Sequence, residues 1–146
     1  MNEHNTTSSR LRELPRLDLS DLDALESLKK ATVYLAAPYF STDREVVKTR
    51  VGMCNRAARQ LVGLGIPAFS PCTYTAQWQG DDLNGDFVPA GGWYDVDLAF
   101  LRGCRAMIVF MLPGVENSKG VAMELEYAKE SGMPVYRLEE EDIIGG

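Results

Sequence analysis

A chain of 146 residues suits one domain that buries a real core, and apolar and charged contents of 45% and 25% are ordinary for a globular protein. The formal charge of −6 argues against sustained contact with a nucleic-acid polymer, which needs clustered Lys and Arg, but leaves room for a small anionic ligand. No apolar run approaches the roughly 18 residues that span a bilayer. The polar N-terminus does not read as a signal peptide, and the scattered Cys54, Cys72 and Cys104 read as reduced thiols, so the expectation is a cytoplasmic protein without a membrane partner.

Met1 to Pro15 is polar and reads as loose; it carries His4, the only histidine, which leaves no His-based zinc site and no Ser-His-Asp triad. Ser20-Asp-Leu-Asp23 resembles a capping box that opens a short helix with Leu22, Leu25 and Leu28. Residues 1–30 are therefore expected as a tail and short helix, an appendage that packs on the main unit, 31–146, or on a partner subunit.

Ala31 to Ala37 is a continuous apolar run, the mark of a strand covered on both faces. After the loop Pro38 to Asp43, a helix is predicted from about Arg44 to Leu64 with Val47, Val51, Cys54, Ala58 and Leu61 inward. Ile66 to Ser70 reads as a short second strand, Ala106 to Leu112 as the clearest buried strand and Met133 to Leu138 as the last. Strands alternating with helices predict a single α/β domain: a Rossmann-like (flavodoxin-like) parallel sheet flanked by helices.

Two helical segments carry an acid where the pattern calls for an apolar residue. Val121, Glu124, Leu125 and Ala128 fall at i, i+3, i+4 and i+7, with Glu126, Lys129 and Glu130 on the opposite face. Asp97, Phe100, Leu101 and Cys104 repeat the spacing. A buried ionised carboxylate is costly unless it is paired, hydrogen-bonded or used. Glu124 also lies near the start of its helix, where free N–H groups and the macrodipole favour negative charge. Asp97 on its own also fits a cap, but two inward acids in one cleft can divide nucleophilic and acid/base duties.

Ligands of such sheets bind beyond the carboxyl ends of the strands, where three loops meet. One is Pro38 to Arg44. The second, Thr73 to Gly92, is long and irregular and ends in Trp93-Tyr94; it reads either as a solvated loop or as a flap whose aromatics stack on a planar ligand. The third, Leu112 to Gly120, brings Asn117, Ser118, Lys119 and Gly120 to a helix N-terminus and resembles an anion cradle. Neither a Walker loop nor a GxGxxG pattern is present.

These residues together resemble the nucleoside 2-deoxyribosyltransferase superfamily over roughly Thr32 to Leu138. Its first strand ends in a Y-[LF]-[AG]-[AG] pattern, matched by Tyr34-Leu-Ala-Ala37. Its Asp eight residues before the third main strand is matched by Asp97, ahead of Arg105. Its [DS]-x-G-x-x-x-E-x-x-x-A signature is matched by Ser118, Gly120, Glu124 and Ala128. Members acting on free nucleosides commonly carry Asp six residues before the nucleophile; Ser118 here is similar to the branch of 2′-deoxynucleoside 5′-monophosphate N-glycosidases. That branch has a Gly-Ser pair after the first strand, whereas this chain has Ala37-Pro38.

The resemblance implies cleavage of an N-glycosidic bond in a nucleoside or its 5′-monophosphate. Glu124 would be the nucleophile, Asp97 the acid/base or a holding group, and Tyr34 the residue that orients Glu124. Pro38, Tyr39, Asn117, Ser118, Lys119 and Gly120 would line the sugar-phosphate site; without the Gly-Ser pair, phosphate binding would need other donors, from Ser41, Thr42 or Arg44, and Trp78, Trp93 or Tyr94 would stack on the base. No metal or redox cofactor is implied, and a homodimer or larger homo-oligomer is expected. The alternatives are a base-exchanging transferase, or a non-catalytic nucleotide-binding or interaction protein on the same fold.

Overall fold

The computed structural model describes residues 6–78 and 88–144. Two helices come first, α1 (Thr7–Glu13) and α2 (Leu22–Lys29). Then follow β1 (Val33–Ala36), α3 (Arg44–Gly63), β2 (Ala68–Phe69), α4 (Pro71–Ala76) and α5 (Trp93–Arg102). Next come β3 (Ala106–Met111), a 3-10 turn (Val115–Asn117), α6 (Lys119–Ser131), β4 (Val135–Glu139) and a second 3-10 turn (Glu140–Asp142). The four strands form one all-parallel sheet in the order β2-β1-β3-β4, which confirms the expected α/β class.

Period-two side-chain alternation divides the core between the two faces of the sheet. Val33 and Leu35 of β1 and Ile108 and Phe110 of β3 pack with Cys54, Ala57 and Leu61 of α3. Tyr34, Ala36, Met107 and Val109 point the other way, to Leu101 of α5 and Val121, Leu125 and Ala128 of α6. The connection from β1 runs to one face and that from β3 to the other. The crevice between their carboxyl ends is therefore the topological switch point.

From residue 6 onward, the N-terminal segment forms more structure than its polarity suggests. Thr6 caps α1 by accepting from the Ser9 N–H at 3.1 Å, and Leu11, 1% exposed, joins the core on the α6 side. Pro15 to Leu17 then runs along the free edge of β4: the Arg137 N–H donates to the Pro15 carbonyl at 2.9 Å and the Leu17 N–H to the Arg137 carbonyl at 2.8 Å. This covers an edge that would otherwise invite pairing with another chain. Leu17, Leu25 and Leu28 enter the core on the α3 side, so the segment packs on its own domain.

Other local expectations shift as well. Asp21, not Ser20, caps α2, and Leu22 is exposed. The buried stripe of α3 is Cys54, Ala57 and Leu61; Val47, Val51 and Ala58 are half-buried at its margins. The first part of the predicted irregular segment is the short helix α4, capped by Ser70, whose hydroxyl accepts from the Thr73 N–H. Gln79, Asp81, Asp82, Asn84 and Asp86 lie outside the described residues. None of the helices among the described residues is long and apolar enough to cross a membrane.

Candidate active site

Glu124 owes its position to the way α6 begins. Gly114, at φ +92°, turns the chain after β3 into the 3-10 turn, and Ser118 then caps α6 by accepting from the Val121 N–H at 3.2 Å. Glu124 is the sixth residue of the helix and faces inward, only 5% exposed. That is beyond the first turn, where the macrodipole acts, so helix polarity does little for its charge. Its partner comes from β1: the hydroxyl of Tyr34, a fully buried ring, donates to the Glu124 carboxylate.

Burial dominates the electrostatics of this pair. It pushes the Glu124 carboxyl up to about 8; the Tyr34 hydrogen bond pulls it down and the charge of Asp97 adds to the rise. Asp97, on the second turn of α5, is half-buried, and burial lifts its carboxyl to about 6. Its Oδ1 is buried without a hydrogen-bond partner among the described residues. A buried polar atom left without a partner is uncommon and marks this position out. Burial and the Glu124 charge raise the Tyr34 phenol, and the same two causes, in that order, raise the phenol of Tyr94. Tyr34 and Tyr94 thus lie within the field of Glu124, and Glu124 within that of Asp97.

A row of aromatic rings leads outward from this centre. Tyr34 meets Phe69 at 6.2 Å between centroids, and Phe69 stacks on Phe100 at 4.5 Å. Tyr74 meets Phe69 at 5.7 Å and Trp78 at 4.7 Å, and Trp78 lies nearly parallel to Trp93, 17° apart and 6.2 Å away. Phe100, expected inward, is 41% exposed where it packs on Phe69 and Tyr74, and Trp78 is 38% exposed. Phe69 and Tyr74 were missed in the sequence. Their signal there, an aromatic at each end of a short strand-helix corner, is too common to single out.

The remaining sequence candidates divide by position. Asn117, Ser118, Lys119 and Gly120 sit together at the start of α6; Ser118 is half-buried and the other three are exposed. A Cβ on Gly120 would meet only the Ser118 Oγ, at 3.9 Å, so the chain itself does not crowd this position. Pro38 is buried beyond β1, and Tyr39 packs against the core on the α3 side, away from Glu124. Ser41 uses its hydroxyl to accept from the Asp43 N–H at 3.1 Å, and Arg44 is exposed as the first residue of α3.

Arg50 was also missed. Its Nη1 donates to the carbonyls of Phe40 at 2.8 Å and Tyr39 at 3.4 Å, and its Nη2 to that of Pro113 at 3.2 Å. The sequence does carry a signal: Val46, Arg50 and Met53 fall at i, i+4 and i+7, a charge inside an apolar stripe, as with Glu124. These three, with Leu112 and Pro113, border a cavity of about 300 Å³ on the α3 side; the two carboxylates lie on the other face of the sheet.

A buried carboxylate beside a second one, with stacked rings leading to solvent, can perform nucleophilic and acid/base chemistry on a small planar ligand. Among the described residues, no three His, Cys, Asp or Glu side chains are grouped to hold a metal ion. No curated protein is similar to the chain in a sequence search. One protein-family model, described as a domain of unknown function (DUF1937), matches residues 31–140. This span takes in Tyr34, Asp97, Ser118 and Glu124 and leaves out α1 and α2, and the chain belongs to the DUF1937 family.

Proposed function

We propose that the chain is an N-glycosidase that hydrolyses the base–sugar bond of deoxynucleoside or nucleoside 5′-monophosphates through Glu124. The observation that carries this reading is the Tyr34–Glu124 pair: a carboxylate on the core-facing side of a helix, oriented by a buried phenol and within the field of a second acid. Glu124 attacks the anomeric carbon as the C–N bond breaks and its electron pair leaves with the base. Asp97 gives the departing base a proton, then takes one from the water that attacks the glycosyl-enzyme and frees Glu124.

The ligand-free proton distribution is the reverse of what attack requires, since Glu124 holds its proton to about pH 8 and Asp97 only to about 6. A sugar developing positive charge against Glu124 favours its ionised form and moves the proton to Asp97. The Ser118 hydroxyl, which accepts from Val121, still has its hydrogen to donate to a 5′-phosphate. Lys119 and the free N–H groups of the first turn of α6 add to that affinity. Trp78 and Trp93 supply the flat surface for the base.

The same reading places the enzyme in the cytoplasm, where its three thiols stay free, and as a homodimer or larger assembly that covers exposed Phe40, Phe100 and Met123. The test is release of free base from a panel of ribo- and deoxynucleoside 5′-monophosphates, followed by chromatography with Glu124→Ala alongside. Base released by the wild type and lost in the variant supports the reading. Base released only when a second base is supplied makes the protein a transferase.

The buried Tyr34–Glu124 hydrogen bond also fits a second reading. A carboxyl that stays protonated to about pH 8 is a neutral hydrogen-bond donor at pH 7, which suits a binding protein as well as an enzyme. In that case no base is released, and a carboxamide at position 124 keeps nucleotide affinity.

A further inference from the structure

We infer that Arg50 is a positioning residue that sets the width of the crevice at the switch point. The inference rests on the reading of that crevice as the Glu124 site. The loops after β1 and β3 leave the sheet toward opposite faces, so chain connectivity does nothing to hold their tips together. Arg50 does. From α3 it donates to Phe40 and Tyr39 on the first loop and to Pro113 on the second. The planar fork of a guanidinium reaches both loops at once, which a lysine ammonium cannot do with the same geometry.

The second loop is shaped around this contact. A Cβ at Gly114 would run into the Arg50 Nη2, so the guanidinium would have to shift, and φ there is +92°, a backbone conformation that favours glycine. Gly114 leads directly into the turn that delivers Ser118 and the start of α6. The Arg50 Nη groups are spent on carbonyls, and its Nε is buried without a partner among the described residues. The contacts that the guanidinium makes are therefore to the two loops.

The experiment compares wild type with Arg50→Met, Arg50→Lys and Gly114→Ala, the last of which dislodges the guanidinium without removing its charge. Amide hydrogen exchange is read at residues 39–41 and 114–118, and base release from the monophosphate panel gives kcat and KM. Faster exchange confined to both loops is expected, with KM raised about tenfold or more and kcat changed less than about threefold; a partly unfolded variant would instead lose kcat at constant KM. Arg50→Lys falls between wild type and Arg50→Met if the fork matters, and matches wild type if only charge does, which would overturn the inference. Unchanged exchange in folded variants overturns it without reference to activity. Loosened loops with an unchanged KM also overturn it. No base release from the wild type overturns the N-glycosidase reading and this role with it, and leaves the exchange result as a property of the fold.

Discussion

The Tyr34 hydroxyl and the Glu124 carboxylate meet across the layer between β1 and α6, a buried phenol donating to a buried acid ninety positions away in sequence. The phenol favours the ionised acid, whereas burial and Asp97 favour the neutral one. The balance leaves the Glu124 carboxyl, at about 8, above that of Asp97, at about 6, so a proton shared by the two favours Glu124 before substrate binds. On the proposed reading, Tyr34 favours the ionised Glu124 that attack requires.

Tyr34→Phe removes a hydrogen bond to a charged group, worth about 1.5–3 kcal/mol. The Glu124 carboxyl rises above about 8 and the ready fraction falls. The plateau of kcat/KM against pH is expected to drop by about tenfold to a hundredfold, and its alkaline limb to move to higher pH. A plateau within about twofold of wild type would remove Tyr34 from the machinery.

The same displacement makes stability depend on pH. The folded chain keeps a proton on Glu124 that the unfolded chain releases above about pH 4.5, so stability falls as pH rises from there through about 8. Asp97 adds to the fall between about 3.8 and 6. Glu124→Gln keeps the shape and removes the ionisation. At pH 8.5 it should melt at least about 3 °C above wild type, and at pH 4 the two should coincide. Equal melting temperatures at both pH values would mean that Glu124 is not desolvated in solution.

The sheet and both acids were legible because each rests on a local pattern. The runs at Ala31 and Ala106 are apolar throughout, as buried parallel strands are, and Glu124 breaks a clean helical stripe. Helix α1 was not legible: a single buried leucine, Leu11, in a polar stretch makes no stripe, and the helix draws its stability from the turn it packs on at Val115. Arg50 was missed for a different reason. Its acceptors are backbone carbonyls on two distant loops, and carbonyls have no side-chain identity to search for.

Ser118 separates capping from substrate choice. Asp caps a helix as well as Ser does, so Ser118→Asp should leave the melting temperature within about 2 °C. A carboxylate there repels a phosphate dianion and can accept from a sugar 5′-hydroxyl. The ratio of kcat/KM for 5′-monophosphates over free nucleosides is expected to fall by about a hundredfold. An unchanged ratio would confine Ser118 to capping.

Asp97 is assigned the proton of the leaving base, and its substitution distinguishes chemistry from packing. Asp97→Asn removes the donor and also the charge that helps to raise Glu124, so Glu124 ionises at lower pH. Two effects then oppose each other: more nucleophile, but no proton for the base. On ordinary purine monophosphates the second dominates, and kcat should fall by about 10²–10⁴. 7-Methyl-2′-deoxyguanosine 5′-monophosphate already carries a positive base that leaves without a proton. On that substrate the deficit should shrink to within about tenfold, and the pH profile should lose the limb that reports Asp97. Glu124→Ala should stay inactive on both substrates, because no leaving group replaces the nucleophile. Equal deficits of Asp97→Asn on the two substrates would make Asp97 a group that shapes the site and not the acid of the reaction.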